Sequence, residues 1–261
     1  MRGLLFRSIA DMRQSDSWIT RLRQQRIALF TTLLAKVTPN DPERPLQLLD
    51  VGGTAFFWHI LGMDSTPQTT SVSTPQPVSV STPQPASVSK TEAVYQRPIH
   101  ITLLNISQPG AVPPNFTNLI GDGCAMPQFQ NQQFDIVFSN SVIEHVGDWA
   151  RQQAFAQEVR RVGRCYFVQT PNHYFPIEPH FFFPGFQFLP VRARVWLVQH
   201  FALGWFPCLP DEAAARHEVE QIQLLSTAKV RNLFPQAQIH AERFMGMTVG
   251  IVVYAGWGAG Q

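Results

Sequence analysis

The sequence predicts an α/β fold built on a doubly wound, mainly parallel β-sheet with helices on both faces. Three observations support this prediction. Short apolar runs typical of buried strands alternate along the chain with segments of helical periodicity. Several of these runs end at polar residues or glycines, which is where ligands bind in open α/β sheets. Residues 239–254 indicate a hairpin turning at Met245-Gly246, which implies one antiparallel strand near the edge of the sheet.

Length and composition narrow the class of protein. The chain has 261 residues, enough to bury a full core, and we expect residues 1–261 to form a single domain. A formal net charge of +2 gives no basic surface typical of nucleic-acid binding. The apolar runs are too short for a signal peptide at the start or a membrane span elsewhere. Three scattered cysteines, Cys124, Cys165 and Cys208, indicate reduced thiols in a cytoplasmic protein, with neither a disulfide framework nor a metal site.

Two segments have the periodicity of amphipathic helices. Residues 17–37 carry apolar side chains at helical spacing, and we expect an N-terminal helix packed on the sheet. Arg21, Arg23 and Arg26 fall mostly on its other side. A lid over a bound ligand is the alternative role for this helix. Residues 211–233 are predicted as one further helix that covers the sheet.

Residues 65–88 consist of three tandem eight-residue units, each beginning Ser-Thr-Pro-Gln. A segment of this composition has no apolar face to bury, so we predict a disordered surface insertion over residues 65–90. The proline spacing would also suit peptide recognition. A repeat that expanded within a tolerant loop explains the segment more simply.

Two predicted strands end in residues suited to binding. Residues 46–51 are predicted as a buried strand that runs directly into Gly52 and Gly53. Glycines between a strand and a helix let a ligand approach the backbone and the helix N-terminus. Residues 134–140 are a second buried strand, and an adjacent acid and base follow it at Glu144-His145. That pair is equally compatible with a solvated helix start and with a role in chemistry.

Five segments together resemble a known family. In chain order they are LLDVGGTAFFW, LLN, GDGCAMP, FDIVFSNSVIEHV and TPN. This series resembles the class I S-adenosylmethionine-dependent methyltransferases, and it looks most like the small-molecule branch that includes the ubiquinone- and menaquinone-pathway enzymes. The resemblance covers residues 46–172, and the terminal hairpin fits the reversed last strand of the family. It implies a Rossmann-like seven-stranded sheet, S-adenosyl-L-methionine as cofactor and a small-molecule methyl acceptor.

The resemblance places the first half of a cofactor site at the ends of two strands. Asp50, Gly52 and Gly53 match the family's first motif, where the glycines admit the methionine part of the cofactor. The common form has spaced glycines, so the DVGGT turn of this chain should be tighter. Asn105, which ends the predicted strand 99–105, stands where the family usually has an acid that binds both ribose hydroxyls. An amide loses that charge-assisted geometry.

The second half of the implied cofactor site follows the next two strands. Asp122 matches the acid that accepts a hydrogen bond from the adenine amino group, and Gly123 would offer a backbone N–H to the ring. Asn140 and Ser141 match the wall beside the methionine group.

Residues 173–207 are expected to form an aromatic lid on the acceptor side of the site. Polar groups among aromatic residues suit a mostly apolar pocket with a few fixed donors and acceptors. His145 and His180 rank ahead of His173 as candidate general bases, with Glu178 orienting an imidazole or binding the acceptor. Two alternatives remain for the lid: a dimer surface whose aromatics are simply core, or peripheral membrane contact through residues 181–201.

The sequence therefore predicts methyl transfer from S-adenosyl-L-methionine to a small, partly apolar acceptor, at oxygen or carbon. One alternative is a catalytically silent binding or scaffold protein derived from a methyltransferase. A dinucleotide-dependent oxidoreductase is a further alternative, disfavoured because residues 50–62 lack a spaced G-x-G-x-x-G.

Overall fold

The computed structural model describes residues 18–37, 43–61, 98–107, 110 and 112–257. Its strands are β1 (Leu46–Val51), β2 (Ile99–Asn105), β3 (Phe116–Ile120), β4 (Phe134–Asn140), β5 (Gly163–Pro171), β6 (Ile177–Glu178), β7 (Phe183–Pro184), β8 (Gln238–Phe244) and β9 (Met247–Ala255). Its α-helices are α1 (Trp18–Leu34), α2 (Ala55–Ile60), α3 (Trp149–Val162), α4 (Val191–His200), α5 (Glu212–Glu220) and α6 (Thr227–Leu233). Short 3₁₀ helices lie at Ile143–His145 and Phe186–Phe188.

Seven strands form one sheet in the order β3-β2-β1-β4-β5-β9-β8. Strands β1 to β5 pair in parallel, whereas β9 pairs antiparallel with both β5 and β8. The predicted doubly wound fold with one antiparallel strand near the edge is confirmed. The order of the strands reverses between β1 and β4, which makes this crevice the expected ligand position.

Each face of the sheet has its own apolar core. On one face, α1 and α2 contribute Phe30 and Trp58, which pack against Phe138 of the sheet. On the other face, Phe155 of α3 and Val230 of α6 belong to the second core. The sheet that carries the candidate site is therefore packed on both of its faces.

A third apolar cluster forms a lobe outside the sheet, built mainly from the segment that follows β5. Its buried members are Phe181, Phe186, Val195, Val198, Ala215, Val219 and Ile222. We call residues 173–229 the acceptor lobe. The cluster shows that the aromatic segment has a core of its own.

The prediction of one helix over residues 211–233 is wrong, because the segment is divided into α5 and α6. The break lies where Leu225 bridges to Asn172 beside the end of β5 and accepts a hydrogen bond from the His173 N–H. Val219 of α5 belongs to the lobe cluster and Val230 of α6 to the sheet core. The helices α5 and α6 are therefore buried against different parts of the protein, although their apolar residues follow one continuous period.

The predicted insertion at residues 65–90 lies outside the described residues. The helix expected at residues 17–37 occurs as α1. Among the helices that the structure describes, none has the length and apolarity needed to cross a bilayer.

Candidate active site

The turn after β1 consists of Gly52 and Gly53, because the side chains of Val142 and Asp50 occupy the space beside them. Gly52 has φ of +78°, and a Cβ there would lie 2.5 Å from Cγ2 of Val142. A Cβ on Gly53 would lie only 1.7 Å from Oδ2 of Asp50. Both glycines are therefore required by the packing at the ends of β1 and β4.

Asp50 lies beneath this turn and is 1% exposed. The indole Nε1–H of Trp58 donates to its Oδ2 at 2.7 Å, while Oδ1 is buried without a partner. Burial raises the pKa of Asp50 to about 7, outweighing the opposing effect of the Trp58 hydrogen bond. The structure thus places Asp50 where it supports the glycine turn from inside the protein.

Asn105 joins the ends of three strands. Its side-chain Nδ2 donates to the carbonyl of Gly53 at 3.0 Å, and its own carbonyl accepts from the Gly121 N–H at 2.9 Å. The amide that replaces the usual acid therefore braces the glycine turn from the β2 side. This contact uses the amide's donor, which a carboxylate could not supply.

Asp122 is the most accessible acid at this edge, with its side chain 40% exposed. Arg151 Nη2 lies 2.8 and 3.0 Å from its two carboxylate oxygens, and the Cys124 N–H donates to Oδ1 at 2.9 Å. Burial alone would raise the pKa of Asp122, but hydrogen bonds from Arg151 and Cys124 outweigh it and lower the pKa. Next to it, a Cβ on Gly123 would lie 2.7 Å from Val51. An ionised acceptor therefore stands at the end of β3.

Asn140 and Ser141 belong to a polar network that crosses the edge of the sheet. Arg26 Nη1 donates to Asn140 Oδ1 at 2.6 Å, and its Nε and Nη2 bind the two oxygens of Glu242 at 2.6 and 2.8 Å. Gln169 donates to the same Glu242 and accepts from the Ser141 hydroxyl at 2.9 Å. The expectation that Arg26 lies away from the sheet is wrong, because Glu242 is buried and requires a partner.

Ser141 adopts a left-handed backbone conformation with φ of +55°. Such a conformation is costly for a residue other than glycine and is held by its surroundings, here by the Ser141 N–H donating to the Gln169 carbonyl at 2.9 Å. Backbone strain of this kind concentrates at functional sites, so it supports a functional role for the end of β4.

The three candidate catalytic residues lie in one hydrogen-bonded chain. His145 Nε2 and His180 Nε2 are 3.1 Å apart, and His180 Nδ1 is 2.7 Å from Glu178 Oε1. Glu178 is 2% exposed and its Oε2 also accepts from the backbone N–H of His180 and Phe181. The structure therefore brings together His145, His180 and Glu178 from two separate segments, while His173 packs against Tyr174 and Phe188 instead.

The electrostatics of the two histidines differ. Partial burial, with the charge of His180 nearby, lowers the pKa of His145 to about 4. Burial would also lower the pKa of His180, but its hydrogen bond to Glu178 and the Glu178 charge together raise it. A proton taken up by this pair therefore resides on His180.

Glu144 is fully buried, so it is not part of a solvated helix start. Thr170 Oγ1 donates to its Oε2 at 3.0 Å, and Oε1 is buried with no partner. Burial raises the pKa of Glu144 to about 7, although the charge of His180 opposes this shift. A carboxyl group that titrates near neutral pH thus lies behind the histidine pair.

The same residues have the chemistry of metal ligands, although no metal site was expected from the sequence. Glu144, His145 and His180 each place one potential ligand atom within 4.8 Å of the others. Metal-bound histidines commonly donate their second N–H to a carboxylate, as His180 does to Glu178. The arrangement could thus act in proton transfer or hold a divalent cation.

Sequence reasoning missed several residues that complete the site. Arg26, Glu242 and Gln169 come from three distant segments. The one signal in the sequence is that Glu242 occupies a buried position of β8, where a charged side chain needs a partner. The pairing of Arg151 on α3 with Asp122 was also missed. Its position in the first turn of the helix, after the N-cap Asp148, is only a weak signal for an acidic partner.

Comparisons with known proteins bear on the fold and on the class of activity. A family model described as a methyltransferase domain matches residues 89–165. No curated protein matches the chain. The chain is similar in fold to the DszA carbon methyltransferase, with a TM-score of 0.50, 13% identity, and coverage of 95% of this chain and 56% of that one. The CMeT domain of the citrinin polyketide synthase gives a TM-score of 0.50 at 9% identity, covering 90% of this chain and 52% of that one.

At these identities the structural neighbours show the fold, and the chain spans only about half the length of these two. The matched methyltransferase-domain model adds the class of activity. The protein is a methyltransferase built on a Rossmann-like sheet, and its cofactor is S-adenosyl-L-methionine.

Proposed function

We propose that this enzyme methylates a small, partly apolar acceptor, at oxygen or carbon, with Glu178, His180 and His145 removing the acceptor's proton. The observation that carries the proposal is the chain of hydrogen bonds from a buried carboxylate through two imidazoles. An orienting acid behind an imidazole is the arrangement expected of a general base. The sequence likeness to the ubiquinone- and menaquinone-pathway enzymes is a further prediction about the acceptor.

The cofactor residues have separable roles in this proposal. S-adenosyl-L-methionine supplies a methyl group already activated on a sulfonium. Asp122 would accept from the adenine amino group, with the Gly123 N–H beside it, and Gly52 leaves the backbone of the turn accessible. Asp50, Gly53 and Asn105 would shape that turn, which their contacts with one another support. Asn140 and Ser141 would wall the methionine end.

The proton path follows from the two histidine pKa shifts. His145 stays neutral, and it would take the acceptor's proton at Nδ1 while passing its Nε2 proton to Nε2 of His180. The positive charge then rests on His180 beside the Glu178 carboxylate, which stabilises it. The pair must be free of extra protons before turnover, so the rate should rise with pH through the raised pKa of His180.

The test is single-turnover kinetics on an acceptor found by screening small molecules for formation of the demethylated cofactor. His145→Ala and His180→Ala should each lower the methyl-transfer rate by about 10²–10⁴-fold. Glu178→Gln should move the pH midpoint of the rate downwards. Cofactor affinity should be unchanged in all three variants. His200→Ala, an exposed histidine on α4, is the matched control and should keep the wild-type rate.

Two outcomes would reject this proton path. Wild-type rates in all three variants would mean that the residues do not take part. Loss of activity on chelation, restored by a divalent cation, would show that Glu144, His145 and His180 are ligands instead of a base. Methylation of only protein or nucleic acid would reject the small-molecule acceptor.

A further inference from the structure

A cavity of about 300 Å³ lies inside the acceptor lobe, beside the buried carboxylate of Glu178. Its walls come from the segment after β5, from α4 and from residues 219–229. The apolar part of the lining comprises Phe181, Phe186, Val219, Ile222 and Leu224. This volume is at the small end of ligand sites and suits a compound of one or two rings.

Arg194 lines the cavity with a buried donor that has no partner. Its Nε is inaccessible to solvent and makes no hydrogen bond, and no described residue forms an ion pair with Arg194. Burial lowers the pKa of Arg194, although the charges of Glu220 and Glu178 oppose this. Arg194 is partly buried, and its unpaired Nε makes an anionic group the expected occupant of the space beside it.

A second cation strengthens the positive field at this end of the cavity. Lys229 also lines the cavity and lies 5.7 Å from the ring centre of Trp149. Burial lowers the pKa of His173, and the charges of Lys229 and Arg194 lower it further. Lys229 and Arg194 therefore both lie close enough to His173 to lower its pKa, and this favours the neutral form of His173.

Glu178 is the acidic residue in the lining, and its carboxylate oxygens already accept hydrogen bonds. Glu178 accepts hydrogen bonds from the N–H groups of His180 and Phe181 and from the His180 ring. His180 and His145 lie outside the cavity lining, and the Glu178 side chain links the lining to them. Arg194 and Lys229 line the cavity directly, and the charge of Glu178 also acts on Arg194.

Gln187 supplies a free acceptor in the same lining. Its Nε2 donates to the carbonyls of His173 and Phe175 at 3.0 and 2.6 Å. With the amide nitrogen held in this way, Oε1 is buried and has no partner. The structure therefore offers one unmatched donor, on Arg194, and one unmatched acceptor, on Gln187.

We propose that this cavity binds the methyl acceptor and that the acceptor is a ring-sized carboxylic acid with a hydroxyl or N–H donor. Its carboxylate pairs with Arg194 and Lys229, its donor binds Oε1 of Gln187, and its ring packs on Phe181 and Phe186. This assignment rests on the proposed small-molecule methyl transfer and deepens it by naming the acceptor class and its specificity residues.

The test measures equilibrium binding to the full chain without cofactor, by calorimetry or ligand-observed NMR. The probes are hydroxylated benzoates and naphthoates, each compared with the carboxamide of the same shape. The acids should bind at least roughly tenfold more tightly than their amides, since a charge-assisted pair is lost in the amide. Arg194→Gln should weaken acid binding by roughly 10- to 100-fold and leave amide binding unchanged.

Arg192→Gln is the matched control, because Arg192 is an exposed arginine on the same helix and lies outside the cavity lining. It should bind both probes as the wild type does. Arg194→Lys, which keeps the charge, should retain the preference for acids and shows that a loss in Arg194→Gln is not misfolding.

Equal affinity for acids and amides, no effect of Arg194→Gln, or no binding by any acid at millimolar concentration would overturn this proposal. These failures are distinct from failure of the proposed function. An enzyme that methylates an uncharged small molecule would keep the proposed function and reject the carboxylic acid.

Discussion

The side chains expected to contact the two ligands differ in their pairing between the edge of the sheet and the acceptor lobe. At the edge, Asn105, Asp122 and Asn140 are already paired with Gly53, Arg151 and Arg26. In the lobe, Arg194 Nε and Gln187 Oε1 are buried without partners.

This difference implies that the cofactor and the acceptor gain binding energy from different kinds of groups. A cofactor that binds at the edge must compete with hydrogen bonds that the protein makes to itself. An acceptor that binds in the lobe satisfies groups that otherwise remain unpaired, which gives it a specificity that apolar contact alone would not supply.

The largest effect on stability is expected from a substitution that disrupts the packing at the edge of the sheet. Gly53→Ala puts a Cβ into the space of the buried Asp50 carboxylate, which is held by Trp58. We expect the free energy of unfolding to fall by about 3 kcal/mol or more, as an overpacked core does at its upper range. Chemical denaturation measures this.

Gly110→Ala is the matched control for this substitution, because no atom lies within 4 Å of its added Cβ, and stability should be unchanged. The double variant Asp50→Ala with Gly53→Ala should be less destabilised than the sum of the two single changes, since the clash is gone. Wild-type stability of Gly53→Ala would show that Asp50 does not support the turn.

A smaller effect is expected from Glu144, in the short 3₁₀ helix after β4. Its pKa is about 7 in the folded protein, above the 4.5 of an unperturbed glutamate. The folded state therefore holds the extra proton, and stability falls as pH rises from about 4.5 to 7. Glu144→Gln removes this titration and should reduce the fall by on the order of 1–3 kcal/mol.

Denaturation curves at several pH values measure this, with Glu212→Gln as control because that side chain is 67% exposed. The same pH dependence in Glu144→Gln and in the wild type would mean that Glu144 titrates normally. Asp50 also has a raised pKa but is present in both proteins, so the difference between them reports on Glu144 alone.

The strands of the large sheet and the positions of their ends could be predicted from the sequence, because period and length mark buried strands directly. Glu178, His180 and His145 could be named, but their hydrogen-bonded chain could not, since it joins two segments through the fold. Arg26 was assigned to the wrong side, because helical periodicity does not show that its partner Glu242 is 216 residues away. The break between α5 and α6 was missed because both helices continue one apolar period.

The edge of the sheet is expected to bind S-adenosyl-L-methionine through the groups after β1 and β3. Calorimetry with the cofactor and its demethylated product tests it most directly, on the wild type, Asp122→Ala and Gly52→Val. The wild type should bind both, Asp122→Ala should bind roughly 10- to 100-fold more weakly, and Gly52→Val should not bind because its side chain meets Val142. Glu212→Ala, an exposed acid on α5, should bind as the wild type does. Absence of binding by the wild type, or unchanged affinity in both Asp122→Ala and Gly52→Val, would contradict the account.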